Sequence, residues 1–385
     1  MNRPGQNLLS RLNFSDHKKG VSLPLKSDYS TKTILSLLSQ LKNGYLKMTL
    51  PNGQVREFGD KASSLQADIQ IFDWNVFKGL MSHGDIGFAE SYIRGDWDSS
   101  NLKTILELAI RNRTILDKAI YGTWLGSIFY RVKHWLRDNS KSGSRKNIHA
   151  HYDLGNAFYS LWLDPSMSYS SAWFSEGAKQ ALGDAQKAKI QRILSRLETN
   201  PGDHILEIGC GWGGVMEEAL LSGRSITGLT LSTEQKAFAE NRLQNIEAAT
   251  SKPHFEVRLQ DYRDCQEQFD GIASVEMFEA VGEKHWPQYF ETIATCLKFG
   301  RKACIQTIVI ADDLFERYRQ STDFIQQYVF PGGMLPSRDS FKAAAAKAGL
   351  QIENEFVFGA DYAKTLCIDR KSTRLNSSHS QQSRM

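Results

Sequence analysis

Short apolar runs and helical patterns alternate along the second half of the chain. The apolar runs predict strands at 204–208, 225–230, 254–259, 269–275, 302–309 and 351–358. Apolar positions three and four residues apart predict helices between them, most clearly at 179–197, 232–244 and 339–348. Alternation of this kind predicts an α/β domain with a parallel sheet and helices on both faces. Such a sheet binds its ligands at the carboxyl ends of the strands.

The first 110 residues carry a different pattern. Residues 1–30 are polar and mixed, and we expect them to be loosely ordered. Two segments alternate like strands and two follow helical spacing, namely 45–50, 69–72, 74–83 and 102–111. The pattern predicts a small N-terminal α+β domain over 1–110.

The segment 111–150 combines a helical apolar pattern with many basic residues. Its apolar residues recur at three- and four-residue steps, at Trp124, Leu125, Ile128, Phe129, Val132 and Trp135. A basic amphipathic helix with tryptophans can lie on an anionic bilayer surface. It can equally pack between two domains with its charges in solvent, and the sequence leaves both interpretations open.

Composition and charge exclude some classes of protein. At 385 residues the chain is long enough for one large core and a smaller one. Its net charge of +4 is too small to indicate a nucleic-acid partner. The five cysteines form no CxxC pair, so we expect reduced thiols in the cytoplasm and no metal site. We expect neither a membrane span nor a signal peptide, because no apolar run is long enough.

An apolar run that ends in glycines, at 204–214, is the most informative segment of the chain. It predicts a strand, a tight turn and a helix. Glycines let the backbone approach a ligand closely, and the free N–H groups at the start of the helix then face the ligand's polar groups. The segment therefore predicts a site for a nucleotide cofactor, rather than a glycine turn with only a structural role.

Two glycine patterns overlap in this turn, and both contain Gly209 and Gly211. Gly214 completes the pattern of dinucleotide-binding proteins, whereas Gly213 completes that of S-adenosylmethionine enzymes. A dinucleotide fold also needs a carboxylate at the end of its second strand to hold the ribose. The strand at 225–230 ends without one. The sequence therefore favours S-adenosylmethionine over a dinucleotide.

Five further blocks, in matching order along the chain, resemble the cyclopropane-fatty-acyl-phospholipid synthases. They are 151–156 (HYDLGN), 163–174 (LDPSMSYSSAWF), 228–235 (GLTLSTEQ), 274–279 (SVEMFE) and 324–337 (FIQQYVFPGGMLPS). The N-terminal region adds a weaker resemblance at 84–92 and 95–97. The resemblance implies a Rossmann-like class I methyltransferase sheet with helices on both faces over 151–366, preceded by the small accessory domain.

The resemblance also implies an activity and a place in the cell. The enzyme would transfer a methylene group from S-adenosylmethionine to the cis double bond of an unsaturated phospholipid acyl chain, which forms a cyclopropane ring. It would be cytoplasmic and peripheral to the inner face of the membrane. Its partner would be phospholipid and not nucleic acid, and the sequence leaves open whether it forms a homodimer. Two alternatives remain: simple C- or N-methyl transfer in the same fold, and a non-catalytic protein that binds lipid or cofactor.

The resemblance further implies which residues form the site. The cofactor-binding positions are Tyr169, Ser170, Gly209, Gly211, Thr230, Gln235, Gln260 and Asp261. The catalytic positions are Glu279, Ser171, Gln306 and Ile308. In the family the glutamate holds a bicarbonate ion that acts as the base. Two adjacent anions repel, so we expect a raised pKa for Glu279; a structural acid at a helix N-terminus is the alternative.

The chain departs from the family pattern at several of these positions. Ser171 stands where many members have Cys, and there the bicarbonate contact is expected to use the backbone. Gln306 and Ala280 stand where many members have His, so neither side chain can carry a charge. We expect no counterpart of the family's C-terminal active-site tyrosine, since residues 367–385 read as a non-native tail after a truncated domain. The strand at 351–358 is then expected to expose an edge that promotes aggregation.

Overall fold

The computed structural model describes residues 29–120, 155–177, 179–249 and 253–382. The chain forms two compact units, one of residues 1–136 and 317–331, the other of residues 137–316 and 332–385. The units are therefore not two consecutive stretches of chain, and part of the block at 324–337 belongs to the first. Most of the helix predicted within 111–150 lies outside the described residues, as do most of the segment 1–30 and most of the block at 151–156.

The first unit contains a mixed four-stranded sheet. Its elements are α1 (Tyr29–Leu38), β1 (Tyr45–Thr49), β2 (Val55–Gly59), β3 (Gln66–Ile71), α2 (Asn75–Arg94), β4 (Trp97–Asp98), α3 (Leu102–Arg111), α4 (Arg113–Ile120) and a π-helix (Ile325–Val329). The strand order is β2-β1-β3-β4, with β1 and β3 parallel and the other pairs antiparallel. Leu46, Met48, Ile69 and Ile71 alternate onto one buried face, with Trp97 in the same core. The prediction of an N-terminal α+β region is confirmed.

Helix α2 and strand β2 differ from the pattern-based prediction. Helix α2 continues beyond residue 83 to Arg94 across a kink at Gly84, where φ is +60° and ψ is −136°. Glycine adopts this conformation without the steric cost of a Cβ, so a second helical stretch can follow directly. Strand β2 is largely exposed, and its residues therefore show no apolar alternation that would predict it.

The second unit contains a five-stranded parallel sheet. Its elements are α5 (Asn156–Tyr159), α6 (Leu182–Arg196), β5 (His204–Ile208), α7 (Gly214–Leu221), β6 (Ser225–Thr230), α8 (Thr233–Ala249), β7 (Phe255–Leu259), β8 (Phe269–Val275), α9 (Trp286–Cys296), β9 (Leu297–Gln306), α10 (Asp312–Arg319, continuing into the first unit), α11 (Arg338–Lys347) and α12 (Gly359–Gln382). The order is β7-β6-β5-β8-β9. Ile205, Met216, Ile226, Leu243 and Ala273 form a fully buried core between sheet and helices. The predicted α/β architecture is confirmed. None of the described helices is both long and apolar enough to span a bilayer.

The predicted sixth strand at 351–358 is wrong. These residues pair with no described strand, and most of them are exposed. Phe356 packs instead against Trp173, with ring centroids 5.6 Å apart, and its ring centroid lies 3.8 Å from the guanidinium carbon of Arg192. Because no strand forms here, the expectation of an exposed strand edge is also wrong. Helix α12 includes most of the segment 367–385, which we expected to be a non-native tail.

Candidate active site

The glycine turn connects β5 to α7, as the sequence predicts. Gly209 and Gly211 both have left-handed φ, of +85° and +52°. A Cβ at Gly209 would lie 2.8 Å from Cγ of Met277, so this position has no room for a side chain. A Cβ at Gly211 would meet no atom within 4 Å, so the backbone there borders open space. This cradle suits the close approach of a ligand to the backbone.

A buried carboxylate and a buried ammonium lie near this turn. Glu207 on β5 is 2% exposed, and its Oε2 has no hydrogen-bond partner among the described residues. Burial raises the pKa of Glu207 well above its ordinary value, and the charge of Lys189 opposes that shift. Nζ of Lys189 donates to Oγ of Ser170 at 2.6 Å, and burial lowers the pKa of Lys189 to about 8. The spare acceptor of Glu207 fits the charged amino group of S-adenosylmethionine.

The ends of β6 and β7 bring four predicted residues to one edge of the sheet. Oγ1 of Thr230 donates to Oε1 of Gln235 at 2.8 Å, and both residues are buried. The N–H of Gln260 donates to the backbone oxygen of Thr230 at 3.1 Å. Asp261 accepts the N–H of Arg263 at 3.0 Å and its guanidinium at 2.8 and 2.7 Å. Arg263 therefore neutralises Asp261, which leaves less of that carboxylate for a ligand than the sequence suggests.

Tyr169 belongs to an aromatic cluster that includes the glycine turn. Its ring centroid lies 5.5 Å from that of Tyr159 and 5.2 Å from that of Trp162. Trp212 of the turn lies 5.0 Å from Tyr159, and its Nε1 donates to Oδ1 of Asn156 at 2.7 Å. The packing holds Tyr169 beside the cofactor cradle. The sequence motifs do not predict that Trp212 and Asn156 take part in this cluster.

Glu276 follows β8 at the same edge and is not among the site residues that the resemblance implies. Its φ of +49° is a left-handed conformation that residues other than glycine rarely adopt. Its Oε1 accepts the N–H of Ser171 at 2.8 Å and Nε2 of Gln306 at 2.8 Å. Burial raises the pKa of Glu276, while these hydrogen bonds and the charge of Lys189 act in the opposite direction.

Glu279 lies in the short 3-10 helix Phe278–Ala280. Its Oε1 accepts the hydroxyl of Thr307 at 2.9 Å and also the N–H of Ile308. Its Oε2 is buried and has no hydrogen-bond partner in the part of the chain that the structure describes. Burial, followed by the charge of Glu276, raises the pKa of Glu279 to about 7. The raised pKa agrees in direction with the sequence prediction. The neighbouring anion, however, is the carboxylate of Glu276 and not a bicarbonate ion.

Tyr362 on α12 is a residue of this site that the sequence analysis misses. Burial, followed by the negative charge of Glu276, raises the pKa of Tyr362. One turn later, Oγ1 of Thr365 accepts the N–H of Ala172 at 3.1 Å, which ties α12 to the chain beside Ser171. The expectation that the site lacks a tyrosine is therefore wrong. The sequence does contain this tyrosine, in what the structure shows to be the first turn of α12.

A cavity opens beside these groups. Its volume is about 610 Å³, within the range of small-molecule sites. The predicted catalytic and neighbouring residues that line it are Ser171, Glu276, Gln306, Ile308 and Tyr362. Glu276 is therefore both hydrogen-bonded and reachable from an open space.

The donors that a bicarbonate ion would need are already paired with carboxylates of the chain. The N–H of Ser171 and Nε2 of Gln306 both donate to Glu276. The N–H of Ile308 donates to Glu279. A further anion here would lie against two carboxylates without donors of its own, which is electrostatically unfavourable. The residues present therefore do not fit a bicarbonate held as the resemblance implies.

Comparison with known proteins relates the chain to lipid methyltransferases. Residues 139–383 match the sequence model of the family described as mycolic acid cyclopropane synthetase. The chain is 36% identical over 307 residues to the tuberculostearic acid methyltransferase UfaA1 of Mycobacterium tuberculosis, which covers 75% of this chain and 68% of that protein. It is 32% identical over 317 residues to the cyclopropane-fatty-acyl-phospholipid synthase of Escherichia coli, which covers 79% of this chain and 75% of that protein.

Two solved structures confirm the Rossmann-like class I methyltransferase fold. The cyclopropane synthase MmaA2 of Mycobacterium tuberculosis aligns with a TM-score of 0.56 and 28% identity, over 61% of this chain and 85% of that chain. The mycolic acid cyclopropane synthase CmaA1, complexed with SAH and CTAB, aligns with a TM-score of 0.56 and 29% identity over the same shares. With the glycine cradle at the end of β5, these matches lead to one conclusion: the chain belongs to the mycolic acid cyclopropane synthetase family and is an S-adenosylmethionine-dependent methyltransferase.

Proposed function

We propose that this enzyme transfers a methylene group from S-adenosylmethionine to the cis double bond of an unsaturated phospholipid acyl chain, which forms a cyclopropane ring. The observation that carries the proposal is the pair Glu276 and Glu279 at the carboxyl edge of the sheet, where burial and then the charge of Glu276 raise the pKa of Glu279. Ring closure removes a proton from the transferred methyl group, so it needs a base beside the reacting carbon. A desolvated carboxylate pair next to the cofactor cradle supports that requirement.

The residues around the glycine turn hold the cofactor in this proposal. S-adenosylmethionine, when bound, supplies an electrophilic methyl group. Gly209 and Gly211 let the backbone approach it, and the spare Oε2 of Glu207 accepts a hydrogen bond from its amino group. Thr230 at the end of β6 and Gln235 in the first turn of α8 contribute to the same site. The remaining predicted contacts, supported by their place in sequence and fold, are Tyr169, Ser170, Gln260 and Asp261.

In this reaction the chain's own residues must exclude water and accept a proton. The alkene is a weak nucleophile, and its attack on the methyl carbon leaves a carbocation in the acyl chain, which water would intercept. Loss of a proton from the new methyl group lets the freed electron pair close the ring. With a pKa of about 7, Glu279 is protonated and ionised in comparable amounts near neutrality. We assign no step to bicarbonate, because the donors it needs are paired with Glu276 and Glu279.

The substrate class determines where the enzyme works. A phospholipid acyl chain lies in a bilayer, so the proposal includes a cytoplasmic protein peripheral to the inner face of the membrane. The basic amphipathic pattern within 111–150 supports a surface contact of this kind. The domain limits 1–110, 111–150, 151–366 and 367–385, and the homodimer, remain predictions.

Methylation of the acyl chain without ring closure is a second candidate function. The relative with 36% identity is named as a tuberculostearic acid methyltransferase rather than as a cyclopropane synthase. Gln306 and Ala280 also replace histidines of the family pattern near the base. In this candidate reaction the proton leaves a carbon of the acyl chain, so the transferred methyl group stays intact.

Isotope counting separates these functions. The purified protein is incubated with S-adenosylmethionine that carries a trideuterated methyl group and with vesicles of cis-monounsaturated phospholipid. Ring closure should retain two of the three deuterons and remove the double bond, as measured by lipid mass spectrometry before and after mild hydrogenation. Retention of all three deuterons would identify methyl transfer without ring closure. Binding of S-adenosylmethionine with neither product would contradict both and favour a non-catalytic binding protein.

A further inference from the structure

Glu276 occupies the donors that would otherwise hold an external base. The N–H of Ser171 and Nε2 of Gln306 each lie 2.8 Å from its Oε1. Both hydrogen bonds of its side chain thus use Oε1, and Oε2 accepts none within the described ranges. The residue also lines the cavity of about 610 Å³. One carboxylate oxygen is therefore fixed by two hydrogen bonds, and the residue itself borders an open space.

The backbone of Glu276 is held in a conformation that suits glycine better. Its φ is +49°, and its N–H donates to the backbone oxygen of Gln306 at 2.8 Å. Side-chain-bearing residues persist in this region only where the surrounding structure holds them, and they concentrate at functional sites. Glu198 shares the conformation, with φ of +52°, but it is exposed and pairs with Lys302. Glu198 therefore offers a control for glycine at a second left-handed position.

Neighbouring charges favour Glu276 as the ionised member of the glutamate pair. Burial, together with the charge of Glu276, raises the pKa of Glu279 to about 7, so Glu279 takes up a proton readily. Lys189 and the N–H of Ser171 lower the pKa of Glu276 against the effect of burial. Two adjacent carboxylates that share one negative charge leave it on the partner whose charged form has the better hydrogen bonds and the nearer cation. Here that partner is Glu276.

We propose that the carboxylate of Glu276 is the proton acceptor of this enzyme, in the place that a bound bicarbonate would otherwise take. The inference rests on the proposed ring-forming function. In the step, one C–H bond of the transferred methyl group breaks and its electron pair forms the closing C–C bond. The proton goes to Oε2 of Glu276, which becomes a neutral carboxylic acid as the carbocation is consumed. The cavity then provides a path for the proton to solvent.

Removal of the carboxylate with anion rescue tests the proposal in the full-length chain. Glu276→Gly suits the backbone conformation and exposes the two donors to a small anion. Assays use unsaturated phospholipid vesicles in buffer freed of carbon dioxide, with or without sodium bicarbonate or sodium formate. Glu276→Gln keeps an oxygen for both donors but cannot accept the proton, and Glu198→Gly is the matched control.

We expect the wild type to work at full rate without bicarbonate. Glu276→Gly should lose about 10²- to 10⁴-fold in kcat, as is typical for loss of a general base. Its affinity for S-adenosylmethionine, measured by calorimetry, should be unchanged, and either anion should restore turnover. Glu276→Gln should be inactive and should not respond to anions, because its amide fills the site. Glu198→Gly should match the wild type in every condition.

Other outcomes separate this inference from the proposed function. A wild type that requires bicarbonate, or a Glu276→Gly variant that keeps the wild-type rate without an anion, overturns the role of Glu276 and leaves ring formation standing. A slow Glu276→Gly variant that binds S-adenosylmethionine but responds to neither anion also counts against it. A wild type that binds S-adenosylmethionine and forms no cyclopropane in any condition contradicts the proposed function itself.

Discussion

Glu276 and Gln306 are joined twice across the carboxyl edge of the parallel sheet. The N–H of Glu276 donates to the backbone oxygen of Gln306 at 2.8 Å, and Nε2 of Gln306 donates to Oε1 of Glu276 at 2.8 Å. The same amide lies 3.3 Å from the backbone oxygen of Ser171. Gln306 thus restrains both the backbone and the side chain of Glu276. A neutral donor at this position can orient a carboxylate without competing for its proton.

Gln306→Leu should disturb Glu276 without changing the size of the side chain much. The ionised carboxylate loses a hydrogen bond, so we expect the pKa of Glu276 to rise further. The acidic limb of the pH–rate profile should move to higher pH. The free energy of unfolding at neutral pH should fall by about 1–3 kcal/mol. Gln288→Leu, on an exposed position of α9, is the control. An unshifted profile in Gln306→Leu would contradict this account of the pair.

Glu279→Gln should change how stability depends on pH. Folding raises the pKa of Glu279 from 4.5 to about 7, so the folded protein binds this proton more tightly than the unfolded chain. Its contribution to stability is therefore full below about pH 4.5 and is lost as the pH rises through about 7. Above that pH the variant should be more stable than the wild type by up to about 3 kcal/mol, and the two should converge in acid.

Urea unfolding at several pH values measures this difference. Glu291→Gln, an exposed glutamate on α9, is the matched control and should follow the wild type. Parallel stability curves for the wild type and Glu279→Gln across this range would show that the pKa of Glu279 is not raised.

Gly211→Ala should weaken cofactor binding specifically. Gly211 and Gly202 both have left-handed φ, +52° and +93°, and a Cβ at either would meet no atom within 4 Å. Alanine at either position should therefore cost about 1 kcal/mol in stability. Only Gly211 borders the proposed cofactor cradle, so its variant alone should lose affinity for S-adenosylmethionine, on the order of tenfold or about 1.4 kcal/mol. Calorimetry on both variants measures this, and equal affinities would place the cofactor elsewhere.

Lys189→Met should destabilise the protein more than Lys187→Met does. Lys189 is 3% exposed, donates to Ser170 and opposes the raised pKa of both Glu207 and Glu276. Its loss leaves buried carboxylates uncompensated, at a cost of roughly 2–4 kcal/mol. Lys187 has a side chain that is 55% exposed and pairs with Glu218, so Lys187→Met should be nearly neutral. Similar melting temperatures for the two variants would refute a role for Lys189 in charge balance.

The errors of the pattern-based prediction have physical causes. Ile352, Phe356 and Phe358 alternate as a strand would, but alternation does not specify a pairing partner. Phe356 packs on Trp173 instead, and no ladder forms. The tyrosine of the site was missed because the domain was expected to end before the family's C-terminal helix, whereas Tyr362 lies within the predicted domain, in the first turn of α12.

By itself the sequence determined the parallel sheet, the glycine cradle and the family, because each depends on spacing within a short stretch of chain. The tertiary structure decided what meets Glu276. Its hydrogen-bond donors are 105 residues away at Ser171 and 30 residues away at Gln306. Gln306 meets it because the parallel strands β8 and β9 end at one edge of the sheet, whereas Ser171 comes from the segment between α5 and α6. No local pattern records which side chain there accepts and which donates.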